Sequence, residues 1–447
     1  MSTRTPEARA VRQVPLSQRI NGQPPARTLE NAYRLCDPFT PLDPREDGAL
    51  RADLDPIRGG DRLAHVVRNI HRAGGIPTLH FLSGHVGSGK TTELLRMRER
   101  LLQKIPDCTV LFLDADTMLD RYDTDLEDIV VALWSVVFRE RPQAAAKVLV
   151  DLWKKQVAGA LSGFVVNLPD KVPDAIDTVV GQLRLPGLEQ RKKLRVAVGS
   201  VLTTLIDGLN KALHAIRDQG AGSIVVLIDN LEKLGQGQRD SVERLYLERM
   251  GALKDLDAHL VITVPLYLCY SAAGASLSAL YGGEVVVLPM IKVRRRQKDG
   301  GSDDAEGLAA MADVLGRRVA FDALFEEGAA AATEIARLSG GCIRHALRLL
   351  QSAMSEHDAP PVTLASVERA AAAMQADFDR ALPEAWVQHL HAVVEANQFA
   401  EACPEEIKRE LLRHLFVLEY QNGEPEAWYA VHPLVERSRK FREHRPG

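Results

Sequence analysis

The sequence predicts an α/β chain built on a parallel sheet wrapped by helices, and three observations carry that prediction. From about residue 50 to 290, short β-branched runs alternate with amphipathic helical patterns, as they do when each strand is followed by a crossover helix. Five runs read as strands: Thr78 to Ser83, Thr109 to Asp114, Ile224 to Asp229, Leu260 to Val264 and Glu284 to Leu288. Four of the five are almost wholly apolar, which suits strands covered on both faces. A glycine-rich turn joins the first strand to a helical pattern in which Leu94, Met97, Leu101 and Ile105 recur at helical spacing.

Around that sheet the remaining segments fall into order. Residues 1–50 are rich in Pro and Arg, with breakers from Asp37 to Pro44, and predict an extended N-terminal arm. The core is expected over 51–291. Between its second and third strands the chain is far longer than one crossover needs, so a helical insertion is expected over about 140–220, with breaks at Pro169, Pro173 and Pro186. After the basic run Lys292 to Lys298 and the polar loop Asp299 to Asp304, an Ala- and Leu-rich stretch predicts a helical lid over 292–360. Over 361–447, helices beginning near an N-capping Thr363 lead to a hairpin, Phe416 to Tyr420 and Trp428 to Val431 about an Asn422-Gly423 turn. Helices followed by a terminal hairpin suggest a winged helix.

Composition excludes several classes. In 447 residues, 46% hydrophobic, 56 Lys+Arg face 60 Asp+Glu, so neither global disorder nor a histone-like basic coat is expected. Five cysteines, each more than 60 residues from the next, support no disulfide framework and no Cys-x-x-Cys metal site, and a reducing cytoplasm fits them. The N-terminal residues lack an apolar secretory h-region. The one long uncharged stretch, Leu260 to Gly283, contains Pro265, serines, tyrosines and glycines; it reads as a buried strand and short helix, and no membrane partner is expected.

Gly84-His85-Val86-Gly87-Ser88-Gly89-Lys90-Thr91 matches G-x-x-x-x-G-K-[ST], set between strand and helix as a phosphate-binding loop requires. Its glycines let the backbone curl so that N–H groups and the helix N-terminus face phosphate oxygens. Lys90 neutralises the β and γ phosphates, and the Thr91 hydroxyl is a Mg2+ ligand, with Thr92 following in the helix. Ile224-Val225-Val226-Leu227-Ile228-Asp229 is the matching Walker B strand: an apolar run ending in the acid that holds Mg2+ through water. ATP or ADP and Mg2+ are the cofactors expected, adenine being favoured by the absence of an Asn/Thr-Lys-x-Asp guanine motif.

Together these residues resemble the AAA+/STAND branch of P-loop ATPases, in particular origin-recognition-type and NACHT/NB-ARC-like bacterial members. Also carrying the resemblance are Leu54-Asp55-Pro56-Ile57-Arg58-Gly59-Gly60, Asp229-Asn230-Leu231-Glu232-Lys233, Gly340-Gly341 and Val431-His432-Pro433-Leu434-Val435. The resemblance implies that Arg58 lies on an adenine-contacting loop and Thr263 at the sensor-1 position. It places Arg344 as a sensor-2 arginine, the alternative being an ordinary surface arginine. His432 corresponds to the histidine that touches the β-phosphate of ADP in STAND winged helices, although Pro433 replaces the acid of that motif; the alternative is a structural histidine. The usual glutamate after the Walker B acid is replaced by Asn230, so either Glu232 is the hydrolytic base or turnover is slow. No Lys or Arg occurs from Asp255 to Ile291, where ring-forming motors carry an arginine finger. Arg294, Arg295 and Arg296 are left to reach a neighbour, to touch nucleic acid, or to form a solvated loop.

What the resemblance implies functionally is an ATP-binding, slowly hydrolysing switch of the kind found in bacterial regulatory and anti-phage defence systems. It would control homo-oligomerisation or a separate effector protein, since no effector constellation is visible in the chain. The alternative is an ATP-dependent DNA-binding initiator or loader of the origin-recognition type, using the winged helix and the Arg294 to Lys298 loop on the phosphate backbone, with the basic tail Arg437 to Arg442 in its favour.

Overall fold

The computed structural model describes residues 14–165, 168–184, 187–234, 239–270, 272–282, 285–421 and 427–444. It divides into two compact units, one from the described parts of 65–82 and 97–286, the other from those of 13–64, 83–96 and 287–447.

The first unit is built on the sheet. Strands β1 (Leu79–Ser83), β2 (Thr109–Asp114), β3 (Ile224–Asp229), β4 (His259–Thr263) and β5 (Val285–Val287) lie in the order β2-β3-β4-β1-β5. The pairs β2 with β3, β3 with β4 and β1 with β4 are parallel, and every residue of β3 and β4 is buried. That accounts for their uninterrupted apolar sequence, which a strand wet on one face would not show. Each expected strand is present, displaced by a residue at most at its described ends; Glu284 lies outside the described residues. The stretch once open to a membrane reading is β4 followed by helices Leu266–Cys269 and Ala272–Tyr281. No single described helix is long and apolar enough to cross a membrane.

Between β2 and β3 lies the insertion, whose helices include α1 (Leu126–Glu140), α2 (Pro142–Leu152), α3 (Val172–Arg184), α4 (Leu188–Ser200) and α5 (Leu202–Asp218). Pro173 sits in the first turn of α3, where its missing N–H costs nothing; Pro186 lies outside the described residues. The insertion shares one apolar cluster with the sheet, from Leu111 and Ile228 to Trp134, Leu149 and Leu213. Trp134 is fully buried, and its Nε1 donates to Leu205 O at 2.8 Å. Arg191 and Arg195 of α4 pair with Asp120, Asp123 and Asp128, while Arg244 and Arg249 pair with Asp125 and Glu127. These bridges tie the start of α1 both to α4 and to the segment that follows Glu232.

In the second unit the segment expected to be extended carries the helix Leu29–Leu35, capped by Thr28, and buries Leu16, Ala32, Leu35 and Cys36. The Pro-rich stretches set its ends, while the apolar spacing between them is helical. The helix-forming phosphate-loop segment belongs to this unit, as do helices Ala305–Gly316, Gly328–Leu338, Ile343–Met354 and Leu364–Ala381. Thr363 is the N-cap expected: its side chain accepts from Ser366 N–H. Helices Val387–Ala396 and Glu405–Arg413 then lead to the antiparallel pair β6 (Val417–Gln421) and β7 (Ala427–Val431), a winged-helix-like ending. The Asn422-Gly423 turn lies outside the described residues.

Candidate nucleotide site

In the second unit the phosphate loop leaves Ser83, and a 15-residue helix, Lys90–Lys104, begins on its lysine. Gly84 and Gly87 have φ of +147° and +86°, conformations that L side chains rarely adopt. Packing demands glycine there as well. A Cβ on Gly84 would stand 2.5 Å from Leu288 O, and one on Gly87 would stand 2.8 Å from Arg344 Cβ and 2.9 Å from Cys342 Sγ. Lys90 is buried and its Nζ donates to Gly84 O at 2.9 Å and to His85 O at 3.1 Å, which holds the ammonium inside the curl. A curled backbone, an inward cation and a helix N-terminus are the donor set a polyphosphate requires, so the loop fits the nucleotide its motif implies.

Arg58, expected beside adenine, braces this loop: its Nη2 donates to Ser88 O at 2.5 Å and its Nη1 lies 3.7 Å from Glu93. Glu93 also pairs with Arg96, 3.1 Å away, and Arg96 with Asp55. Burial opposes the Arg58 charge, while the carboxylates of Glu93 and Asp55 support it. Leu42 N–H donates to Thr92 Oγ1 at 3.3 Å. Arg344 sits one residue into the helix Ile343–Met354; its guanidinium lies 5.4 Å above the ring of exposed Phe39.

His85 turns away from the loop's interior. Its ring is buried, with Nε2 accepting from Glu419 N–H of β6 at 2.9 Å. Burial, then the charge of Lys90, pushes its pKa down to about 3, so the ring is neutral and able to accept.

His432 is fully buried. Its Nδ1 accepts from Leu434 N–H at 3.2 Å and its Nε2 lies 3.0 Å from His345 Nδ1, so both nitrogens are engaged by protein groups. Burial holds its pKa well below the usual value, with His345 and Arg294 adding to the effect. Of the basic run, Arg294 pairs with Glu436 at 2.7 Å and donates to Val431 O at 3.2 Å. Arg296 is buried, 5.8 Å above Trp428. Only Arg295 is half exposed, 3.9 Å from Asp304. The reading of all three as a solvated loop is therefore corrected: two of them knit the winged-helix-like segment together. In the basic C-terminal segment, Arg437 pairs with Glu368 and Lys440 donates to Leu382 O.

The first unit carries the Walker B residues. Asp229 ends β3, is fully buried, and lies in register with Asp114 of β2. Asn230 follows with φ +61°, a left-handed turn that asparagine tolerates, and its Nδ2 donates to Asp114 Oδ1 at 2.8 Å. Since β2 lies beyond β3 from β4 and β1, the Asn230 side chain points away from the strand that feeds the phosphate loop. Leu231–Lys233 then forms a short 3-10 turn. Its Leu231 N–H donates to Thr263 Oγ1 at 3.0 Å, and that hydroxyl in turn lies 3.4 Å from Ile228 O. The Tyr246 hydroxyl donates to Thr263 O at 2.8 Å, and its pKa is raised by burial and then by the charge of Glu232. Neither Asp114 nor Tyr246 is prominent in the sequence: Asp114 is legible only as a second acid ending an apolar strand, and nothing marks Tyr246.

No protein-family model and no curated protein matches the chain. Among solved structures it is similar to Cdc6p from Pyrobaculum aerophilum, at 13% identity over 89% of this chain and 97% of that one, TM-score 0.38. A Walker-type ATPase of Pyrococcus abyssi is 13% identical over 90% of this chain and 99% of that one, TM-score 0.43. The Aeropyrum pernix ORC1 protein, solved in complex with DNA, is 17% identical over 92% and 94%, TM-score 0.37. The chain's own strand order decides its class. Because β4 intervenes between the strand that feeds the GxxxxGKT loop and the strand that ends in the Walker B acid, this protein has a P-loop NTPase fold of the ASCE, AAA+-like kind.

Proposed function

We propose that the protein is an ATP-binding, slowly hydrolysing switch that controls its own oligomerisation or a separate effector protein in a bacterial defence or regulatory system. The observation that carries this reading is the attachment of the phosphate loop. Gly87 is packed on Cys342 and Arg344, and His85 is hydrogen-bonded to β6, so a change in the loop on binding phosphate is transmitted to the lid helix and the terminal hairpin. A ligand that binds two arrangements of these elements unequally shifts the balance between them.

In this reading Lys90 binds the phosphates, Thr91 and Asp229 hold Mg2+, and Arg344 reaches the nucleotide from the lid. Mg2+ bound with the nucleotide supplies charge neutralisation at the phosphates. Glu232 takes the proton of the attacking water, Thr263 orients the turn that carries Glu232, and Asn230, bonded to Asp114, takes no proton. A carboxylate offset by two positions from the usual one accounts for slow turnover.

The test is mass photometry with ADP and with ATP plus Mg2+, alongside phosphate release. A rise in mass with ATP and slow release supports the switch. An unchanged monomer whose turnover rises only on adding DNA would replace it with a DNA-dependent loader. The internal pairing of Arg294, Arg296, Arg437 and Lys440 favours the first outcome.

A further inference from the structure

The imidazole of His85 has no part in phosphate binding as the motif defines it, because that position of G-x-x-x-x-G-K-[ST] accepts any side chain. In this chain it is nonetheless buried, and its Nε2 is committed to Glu419 N–H in β6. Glu419 lies on the outer side of a two-stranded ribbon. There its carbonyl accepts from Met290 N–H at 3.1 Å, while its N–H is taken by His85. A hairpin edge otherwise open to solvent is therefore closed partly by a side chain of the phosphate loop. The carbonyl of His85 accepts from Lys90 Nζ, so His85 joins the phosphate-binding cation to the hairpin through two hydrogen bonds.

We propose that His85 is a positioning residue that latches the phosphate loop to the terminal hairpin at Glu419, so that nucleotide phosphates and the hairpin edge are read through one residue. This deepens the switch reading and rests on it. When phosphate oxygens draw Lys90 off the Gly84 and His85 carbonyls, the peptide carrying His85 loses a partner and the ring is free to re-aim. The Glu419 N–H then exposes its hydrogen to solvent. The latch also requires a neutral ring, since a protonated Nε2 cannot accept from an amide.

The experiment is hydrogen–deuterium exchange of the peptide spanning residues 415–421 in the full-length protein, with no nucleotide, with ADP and with a non-hydrolysable ATP analogue. Wild type is compared with H85F, which fills the site without acceptors, and H85Q, whose carbonyl can accept from the amide. We expect H85F to speed exchange in this peptide at least tenfold without nucleotide and to abolish its response to nucleotide, and H85Q to restore at least part of both. Wild-type exchange rates in H85F, with a retained nucleotide response, would overturn the latch. If H85F fails to fold, H85Q alone decides: nucleotide-sensitive exchange in this variant upholds the latch, and its loss overturns it. The two readings fail separately. A wild-type peptide that ignores nucleotide overturns the latch while mass photometry still decides the switch, and a nucleotide-responsive peptide indifferent to H85F likewise removes the latch alone.

Discussion

Replacing Glu232 by Gln isolates the base in a Walker B turn where the usual glutamate is missing. The local structure separates the two candidates. Asn230 is bonded to Asp114 at 2.8 Å on the β2 side, while Glu232 acts on Tyr246, whose hydroxyl lies 2.8 Å from Thr263 O on the β4 side. A positioned general base contributes about 100- to 10,000-fold, which at about 1.4 kcal/mol per factor of ten is about 3 to 5 kcal/mol of barrier. Glu232→Gln keeps size and loses the charge, so phosphate release should fall at least 100-fold with nucleotide affinity nearly unchanged. Asn230→Ala should do the reverse. It removes a hydrogen bond worth about 1 kcal/mol and leaves alanine in a left-handed turn at a further cost of about 1 kcal/mol, so stability falls by about 2 kcal/mol. Turnover of the folded fraction should change by less than tenfold. Single-turnover phosphate release and urea unfolding read the two effects. Turnover in Glu232→Gln within threefold of wild type, or a 100-fold loss in fully folded Asn230→Ala, would refute the assignment.

Gly87→Ala should cost about 2 to 4 kcal/mol of stability in urea, from its φ of +86° and the overlaps at 2.8 and 2.9 Å with Arg344 and Cys342; a neutral result would mean the lid helix does not rest on the loop. Gly208→Ala, inside α5, should destabilise by about 1 to 2 kcal/mol, because its Cβ would meet Trp134 Cζ2 at 2.5 Å. That overpacking outweighs the gain of about 1 kcal/mol that alanine brings to an open helix, and a stabilised variant would sink the packing described for the insertion. The buried histidines predict acid sensitivity. His85 and His345 fall from 6.5 to about 3 on folding, through burial first and neighbouring cations second. Their stabilising effect is complete above pH 6.5 and is lost progressively as pH drops toward 3. Between pH 7 and 5.5 each should cost about 1.3 kcal/mol. His345→Gln should flatten the thermal-melt profile over that range, and an unchanged slope would count against a buried neutral His345.

The fold class and the phosphate-loop motif are legible in the chain because both are written locally. Strands covered on both faces must be apolar throughout, so β1, β3 and β4 announce themselves. A phosphate loop needs glycine, lysine and a hydroxyl at fixed spacing, so Gly84 to Thr91 is found by inspection, and Asp229 follows as a carboxylate ending a buried strand. Thr363 was legible for the same reason, since an N-cap is a contact with its own helix. Helix Leu29–Leu35 was not, because the prolines around it report only on its ends.

The tertiary structure alone decided what the side chains of the site do with their spare valences. The resemblance places Arg58 near the nucleotide but cannot say that its guanidinium donates to Ser88 O. It offers His432 as a phosphate contact, whereas the pairing with His345 comes from residues 87 positions apart. The sequence leaves Asn230 and Glu232 as neighbours in a turn, and only the structure shows the Asn230 side chain bonded to Asp114 of β2. His85 is the extreme case: its partner lies 334 residues away, and no periodicity or motif reports a hydrogen bond over that distance, because its geometry is fixed by how two distant segments pack.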